Sequence, residues 1–486
     1  MREDGAIPQP QHGQVQFARR QLSFRWSTLV ILLAAAAISV VVLTTLVTLW
    51  RPNIGLLVGW ADYFVYHDAG YHVLHDAPLY TKTLGGGPLL YTYPPFSALA
   101  FVPFVWLPHH QDMYIWLAIN VVLLIAIVML CFRILGYRIT PYLAGISALL
   151  ATACAFLEPV RTTLFFGQIN LLLMLMVLWD ASRGKRSRLK GIGIGLAAGI
   201  KLTPVYFVLY YLLLRQWRAA GVAVVTLAAT VGLGWLVLPN DSWQYWSGKF
   251  LDSGRIGKSV FLAANQSVRG AIARLTGEVP PTWLWLGADA CVVAISMWVA
   301  VRLYRRGEAL LAVTVAGLSS CAVSPFTWSH HWVWLVPMIV YLVHRALTNS
   351  WWWLSAATLL AVMGAWPYSF SYDRAPRIGL YLFAPQWVGW QPLENLYLIV
   401  YAALLIVAGL IASRLERAPC RGQPPGGPTT DDAASFSGPD RSVTERELPT
   451  PVTAMKHSSR LHVLSRTLRS PPSLATAEES RGSPIK

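Results

Sequence analysis

Charged side chains make up only 13% of the chain, about half the share found in soluble proteins. Acids are the scarcest: 23 Asp and Glu stand against 39 Lys and Arg. So little charge beside 55% hydrophobic residues excludes an ordinary soluble domain. Cysteine is rare too. Cys131, Cys154, Cys291 and Cys321 lie in apolar stretches and Cys420 in the polar tail, at spacings that suit neither a metal site nor a disulfide framework. There is no H-x-x-x-H, no H-E-x-x-H and no D-x-D, which speaks against a catalytic metal. No Walker loop and no G-x-G-x-x-G after a strand is present, which disfavours a nucleotide-powered machine. The chain also lacks a short strict repeat and two visibly similar halves, which weakens a transporter reading.

Long apolar runs are abundant. A transmembrane helix needs about 20 mostly apolar residues, and the first candidate extends from about Trp26 to Leu49. No small-residue cleavage site follows it, so it reads as a retained helix. The formal charge of +16 would suggest nucleic acid in a soluble protein. Here the basic residues sit in short loops between apolar segments, the positive-inside pattern, and no nucleic-acid partner is expected.

Charge then sets the topology. Arg19, Arg20 and Arg25 precede the first helix and place residues 1–24 in the cytoplasm. Residues 25–413 read as one membrane domain, and 414–486, rich in Pro, Ser, Gly and Thr, as a disordered cytoplasmic tail. Every basic cluster in between falls inside under two conditions. Residues 93–108, short and Pro-rich, must not make a net crossing. Residues 191–214 must form a hairpin bent near Lys201-Leu202-Thr203-Pro204. The expectation is an all-α polytopic membrane protein of about 11–13 helical segments. Its external regions are 50–112, 158–170, the Lys201 bend, 240–281, 324–331 and a loop at 370–393.

Most of the unusual polar residues gather in those external regions. The first loop holds Asp62 and Asp68, then Tyr93 in "LYTYPPF". "EPVRTTLFFGQIN" adds Glu158, Arg161, Gln168 and Asn170; "AANQSVRG" adds Asn265, Gln266 and Arg269; "SPFTWSHHWVW" adds His330 and His331. Ionisable groups near a membrane are costly and are paired or functional. Each has a plainer reading: Lys201 as a snorkelling side chain, Glu158 and Arg161 as a structural ion pair, the histidines as interfacial residues of which one at most points at any given site. The glycosylation triplet "NQS" reads as incidental. The 22 Trp and 20 Tyr exceed what interfacial belts need. Clustered in "WQYW" and "WSHHWVW", they suit stacking on a sugar's C–H faces.

Taken together and in this order, "ADYFVYHDAG", "LYTYPPF", "FGQIN", "GIKLTP", "NQSVRG" and "SPFTWSHHWVW" resemble actinobacterial membrane mannosyltransferases of the GT-C superfamily. The resemblance covers roughly residues 25–413. It is nearest to the mycobacterial α-1,2-mannosyltransferases that act on phosphatidylinositol mannosides. It implies a GT-C helical bundle with a catalytic aspartate in the first external loop, at the position of Asp62. Tyr63 follows Asp62 where many such enzymes carry a second acid, which leaves open a share for Asp68.

The resemblance implies a polyprenyl-phosphate-mannose donor and a mannosyl glycolipid acceptor, with membrane lipids as surroundings and no cofactor. Transfer would be inverting, with Asp62 as general base. Lys201, Arg269 and Arg161 would serve the donor phosphate. His330, His331, Gln168, Asn170, Asn265, Gln266, Asp68, Glu158 and Tyr93 would contact substrate. The expected location is the plasma membrane with an extracytoplasmic site. The alternatives are a lipomannan-branching mannosyltransferase or arabinofuranosyltransferase of the same superfamily and, from a different class, a lipid-linked sugar flippase.

Overall fold

The computed structural model describes residues 20–46, 61–81, 83–85, 89–107, 111–255, 259–368, 377–382 and 391–417. The expected cytoplasmic N-terminal stretch before residue 20, the start of the first external loop, most of the 370–393 loop and the C-terminal tail lie outside them. Helix dominates because backbone polar groups in lipid must be satisfied within the segment itself. Among the described residues, five helical spans are long and apolar enough to cross a membrane: Trp26–Thr44, Asp112–Ile134, Trp217–Val237, Thr282–Arg305 and Pro392–Leu415. A sixth is a broken pair, Glu158–Phe166 and Asn170–Ala181, bent by 119°. Five shorter apolar helices bring the apolar segments to eleven. The chain is an all-α, multi-pass membrane protein, and its described strands amount to two short hairpins.

In chain order the helices used below are α1 (Trp26–Val41), α2 (Ala61–Leu74), α3 (Pro95–Val105), α4 (Asp112–Ile134), α5 (Pro141–Cys154), α6 (Glu158–Phe166), α7 (Asn170–Ala181), α8 (Ile192–Ile200), α9 (Tyr206–Leu213), α10 (Trp217–Val237), α11 (Pro239–Trp246), α12 (Val268–Thr276), α13 (Thr282–Arg305), α14 (Ala309–Ala322), α15 (Leu335–Ala346), α16 (Trp351–Val362) and α17 (Leu396–Arg417). The expected non-crossing segment is α3. Its 11 residues span only about 16 Å, and it lies against α2, α8 and α10. The stretch expected to be one long loop, 240–281, contains α11 and α12.

Residues 191–214 double back at Lys201. Pro204 cannot continue a regular helix, and Lys201 is extended, with φ −147° and ψ 130°. α8 runs alongside α10 in the same direction, Gly191 by Ala219, Gly195 by Ala223 and Thr226, and Gly199 by Thr230. α9 then returns towards the start of α10. Both basic ends of the stretch thus meet: the Lys190 ammonium stands 5.2 Å from the Tyr211 ring, and Arg218 hydrogen-bonds the Ser187 carbonyl.

The G-x-x-x-G-x-x-x-G line at 191, 195 and 199 lets the two backbones touch, as small residues do between membrane helices. A Cβ on Gly195 would sit 2.5 Å from Thr226 Cβ and 2.6 Å from the Ala223 carbonyl oxygen. Gly195→Leu therefore separates α8 from α10. The expected result is a melting temperature lower by 5 °C or more, on the order of 2–3 kcal/mol of overpacking, measured by thermal unfolding in detergent. An unchanged midpoint would mean that the helices have room to spare.

The basic loops meet at one end of the bundle. Arg20 N–H donates to the Gly136 carbonyl and Arg138 N–H to the Arg20 carbonyl, at 3.1 and 3.0 Å. Arg25 reaches the Leu347 carbonyl at 2.6 Å, and Tyr137 pairs with His344 at 2.9 Å. Arg306 donates to the Leu415 carbonyl at 2.9 Å.

Candidate active site

Six of the polar residues expected in external regions, Asp62, Tyr93, Gln168, Asn170, Lys201 and His331, meet at the bend of the α8–α9 hairpin. Asp62 enters from the first turn of α2, partly buried. Burial pushes its carboxyl up to about 6, while a hydrogen bond from Gln168 and the Lys201 charge pull the other way. Gln168 follows the left-handed turn at Gly167, φ 68°, that breaks the α6–α7 span. Its Oε1 accepts from Tyr66 Oη at 3.1 Å, and Tyr66 Oη pairs with Tyr93 Oη at 3.0 Å.

Lys201 comes from the other side. Its Nζ donates to Asn170 Oδ1 at 3.1 Å and lies 3.0 Å from His331 Nε2, with the Tyr93 ring centre 5.5 Å away. Burial brings the ammonium down to about 8, and Asp62 pulls it back up. Burial and the Lys201 charge hold His331 well below its ordinary range, so its neutral ring accepts from the lysine. One network therefore joins Asp62, Gln168, Tyr66, Tyr93, Lys201, Asn170 and His331. A cavity of about 50 Å³ opens beside it, lined by Lys201, Asn170, His331, Thr203, Ser324 and Cys321 among others.

His330 faces elsewhere. Its ring lies 6.4 Å from Trp328, nearly parallel to it, while its carbonyl accepts from Asn170 Nδ2 at 3.0 Å. Of the two histidines, it is His331 that contacts Lys201. Glu158 is buried and ties together three parts of the chain. Its carboxylate accepts from Thr162 at 2.6 Å, from Ser329 at 2.9 Å and from Tyr397. Arg161, one turn along α6, lies within range of that charge, with its guanidinium 4.3 Å from the Phe165 ring centre.

Asn265 and Gln266 are fully buried and hold loops together. Asn265 Oδ1 accepts from Thr327 N–H at 3.0 Å, and Gln266 N–H donates to the Thr327 carbonyl at 2.7 Å. Gln266 also donates to the Glu394 carbonyl at 2.6 Å. They set the loop that carries His331. Arg269 stands with its guanidinium 5.2 Å from the Trp285 ring centre on α13.

Asp68, a turn and a half beyond Asp62 on α2, accepts from Gly85 N–H at 2.6 Å. His67, together with that N–H, holds its carboxyl below the usual range despite partial burial. It pins the short hairpin Thr83–Leu84/Leu89–Leu90, and the left-handed Gly85, φ 74°, belongs to that turn.

Several contributors carry no sequence signal strong enough to single them out. Ser329 and Tyr397 are neutral side chains in aromatic-rich stretches. Asp112 accepts from Tyr63 at 2.8 Å and so anchors α2 to α4. Arg255 donates to the Tyr80 and Tyr91 carbonyls, both at 3.2 Å, and so fixes the chain leading to Tyr93. No group of three or more His, Cys, Asp or Glu capable of holding a metal occurs among the described residues.

A multi-pass helical bundle with a polar network that joins a carboxylate, an ammonium and buried tyrosines suits a membrane group-transfer enzyme. The chain belongs to glycosyltransferase family 87, whose description matches residues 91–325, and it is a membrane glycosyltransferase. The matched span includes Tyr93, Gln168, Asn170 and Lys201 and leaves Asp62 and His331 outside.

Two mycobacterial relatives share one name, polyprenol-phosphate-mannose-dependent alpha-(1-2)-phosphatidylinositol mannoside mannosyltransferase. The Mycobacterium tuberculosis protein is 36% identical over 289 residues, which cover 55% of this chain and 66% of the relative. The Mycolicibacterium smegmatis protein is 35% identical over 341 residues, 62% of this chain and 76% of the relative. An alpha-(1->3)-arabinofuranosyltransferase of M. tuberculosis is more distant, 28% identical over 283 residues, 54% of this chain and 60% of the relative. No solved structure matches the chain significantly.

Proposed function

We propose that the enzyme transfers mannose from polyprenyl-phosphate-mannose to a mannosyl glycolipid of the phosphatidylinositol mannoside type, forming an α-1,2 linkage on the extracytoplasmic face of the plasma membrane. The observation that carries this reading is the joining of Asp62 and Lys201 in one network, away from the basic loops. The mannosyltransferase names of the relatives supply the sugar, the lipid donor and the linkage. Basic loops gathered at the opposite end support the sidedness.

The donor carries β-linked mannose on a lipid phosphate. The acceptor hydroxyl attacks the anomeric carbon from the face opposite the phosphate. Its proton passes to Asp62, the new C–O bond forms, and the bond from the anomeric carbon to phosphate oxygen breaks. The product is an α-mannoside, and the lipid leaves as a phosphomonoester. A single carboxylate serves, because no covalent sugar–enzyme intermediate forms.

Asp62, shifted up to about 6, is a stronger base than an exposed carboxylate yet mostly ionised at neutral pH. Lys201, with His331 and Asn170 holding its ammonium, stabilises the charge that develops on the leaving phosphate. In this reading Lys201 is the principal cation, and Arg161 and Arg269 act at greater remove. Gln168 and Tyr93 orient the acceptor. Glu158, Asn265 and Gln266 position the loops rather than touch the sugar, and Asp68 holds the hairpin beside α2.

The test is transfer in detergent by the purified protein, given labelled donor and a mannoside glycolipid acceptor. A flippase makes no product there, because detergent leaves no compartments to act across. The same assay checks a pH prediction. Asp62 must be deprotonated, so the rate falls as pH drops through about 6; Lys201 must be protonated, so it falls again as pH rises through about 8. The expected profile of kcat/KM is a bell with its top near neutrality. A rate that stays flat between pH 5 and 9 would remove both groups from the chemistry.

A further inference from the structure

We propose that the groove between α9 and α13 is a binding site for one anionic phospholipid, seated with its phosphate at the basic end of the bundle. The groove encloses about 690 Å³. Its walls are apolar along Leu209, Val293, Ala294 and Trp298, and it ends at Arg302, Arg305 and Arg306. Arg302 packs beside the groove wall, its guanidinium 4.5 Å from the Trp298 ring centre. Arg305 and Arg306 are exposed at the helix end.

Length and charge both select the occupant. From Val293 to Arg305 the helix rises about 18 Å, close to one leaflet of a hydrocarbon core about 30 Å thick. An acyl chain of ordinary length fills that span while its headgroup meets the arginines. Arg grips phosphate through paired N–H groups, and a basic pocket between membrane helices on the positive-inside face is the setting in which anionic headgroups bind.

Guanidinium groups at one end and apolar walls along the rest orient an anionic amphiphile one way only. A polyprenyl phosphate with its headgroup at the Lys201 bend would lie the other way round, its uncharged tail among the arginines. The charge pattern disfavours that occupant.

The test is native mass spectrometry of the purified protein in detergent, titrated with phosphatidylglycerol, phosphatidylcholine, polyprenyl phosphate or inorganic phosphate. The wild type should retain one phosphatidylglycerol and discriminate against phosphatidylcholine. R302Q/R305Q should bind phosphatidylglycerol roughly 30-fold more weakly. Ala294→Trp, which fills an exposed stretch of the groove without entering the core, should abolish that retention. Both variants should keep the melting temperature of lipid-free wild type and the wild-type transfer rate without added lipid. Equal retention of the charged and neutral phospholipids would overturn the proposal. So would unchanged phosphatidylglycerol binding by both variants, or competition for the groove by polyprenyl phosphate or free phosphate alone.

Discussion

Replacing Asp62 by asparagine lowers the turnover of mannosyl transfer by about 10³-fold, within the range a general base contributes, and leaves the protein folded. The amide keeps the shape of the carboxylate and still gives Gln168 a partner, so the network around Tyr66 and Tyr93 survives. What it lacks is a lone pair basic enough to take the acceptor proton. Steady-state rates at saturating donor and acceptor, beside a melting curve, separate chemistry from folding. Asp62→Glu should recover part of the rate, because it restores the base at a displaced position. An Asp62→Asn enzyme that turns over at near wild-type rate would show that the proton goes elsewhere.

Lys201→Ala should produce the second large loss, about 10²- to 10³-fold in kcat/KM for the donor, the range seen when a charge-stabilising donor is removed from a transition state. The acceptor's apparent affinity should change little, because the ammonium is assigned to the phosphate. A second consequence ties the two residues together. Lys201 lowers the Asp62 carboxyl by charge, so removing it lets that carboxyl rise. The acid limb of the pH profile must then move above pH 6, towards neutrality. Lys201→Arg should restore the limb's position even if the rate recovers only in part. Loss of rate with an unmoved acid limb would mean that the two groups do not share a site.

The helical bundle was legible because lipid imposes a simple rule on sequence: about 20 apolar residues, bounded by charge. The doubled-back segment at Lys201 was legible for the same reason, with Pro204 at the bend and basic residues at both ends. The glycine line on α8 was passed over, although its 191, 195 and 199 spacing is the signal for helices in backbone contact. The helices α11 and α12 were hidden inside a stretch read as loop, because they are short and polar.

The site divides along another line. Asp62, Lys201, Gln168, Asn170, Tyr93 and His331 stood out as polar groups in apolar surroundings, and the structure brings them into one network. Asn265 and Gln266 stood out equally, but polarity in a sequence does not give direction, and their amides are taken up by backbone at 327 and 394. Tyr397 could not be read at all. Its link to Glu158 spans 239 residues, and a tyrosine at the end of a membrane helix looks like any interfacial belt residue.

The stereochemistry of the product tests the central claim most directly. Purified enzyme is given polyprenyl-phosphate-β-mannose and a mannoside glycolipid, and the new linkage is read by NMR and linkage analysis. The account predicts an α-1,2-linked mannose, formed with inversion at the anomeric carbon. A product that retains the β configuration, or transfer from a lipid-linked arabinofuranose in preference to mannose, would contradict it.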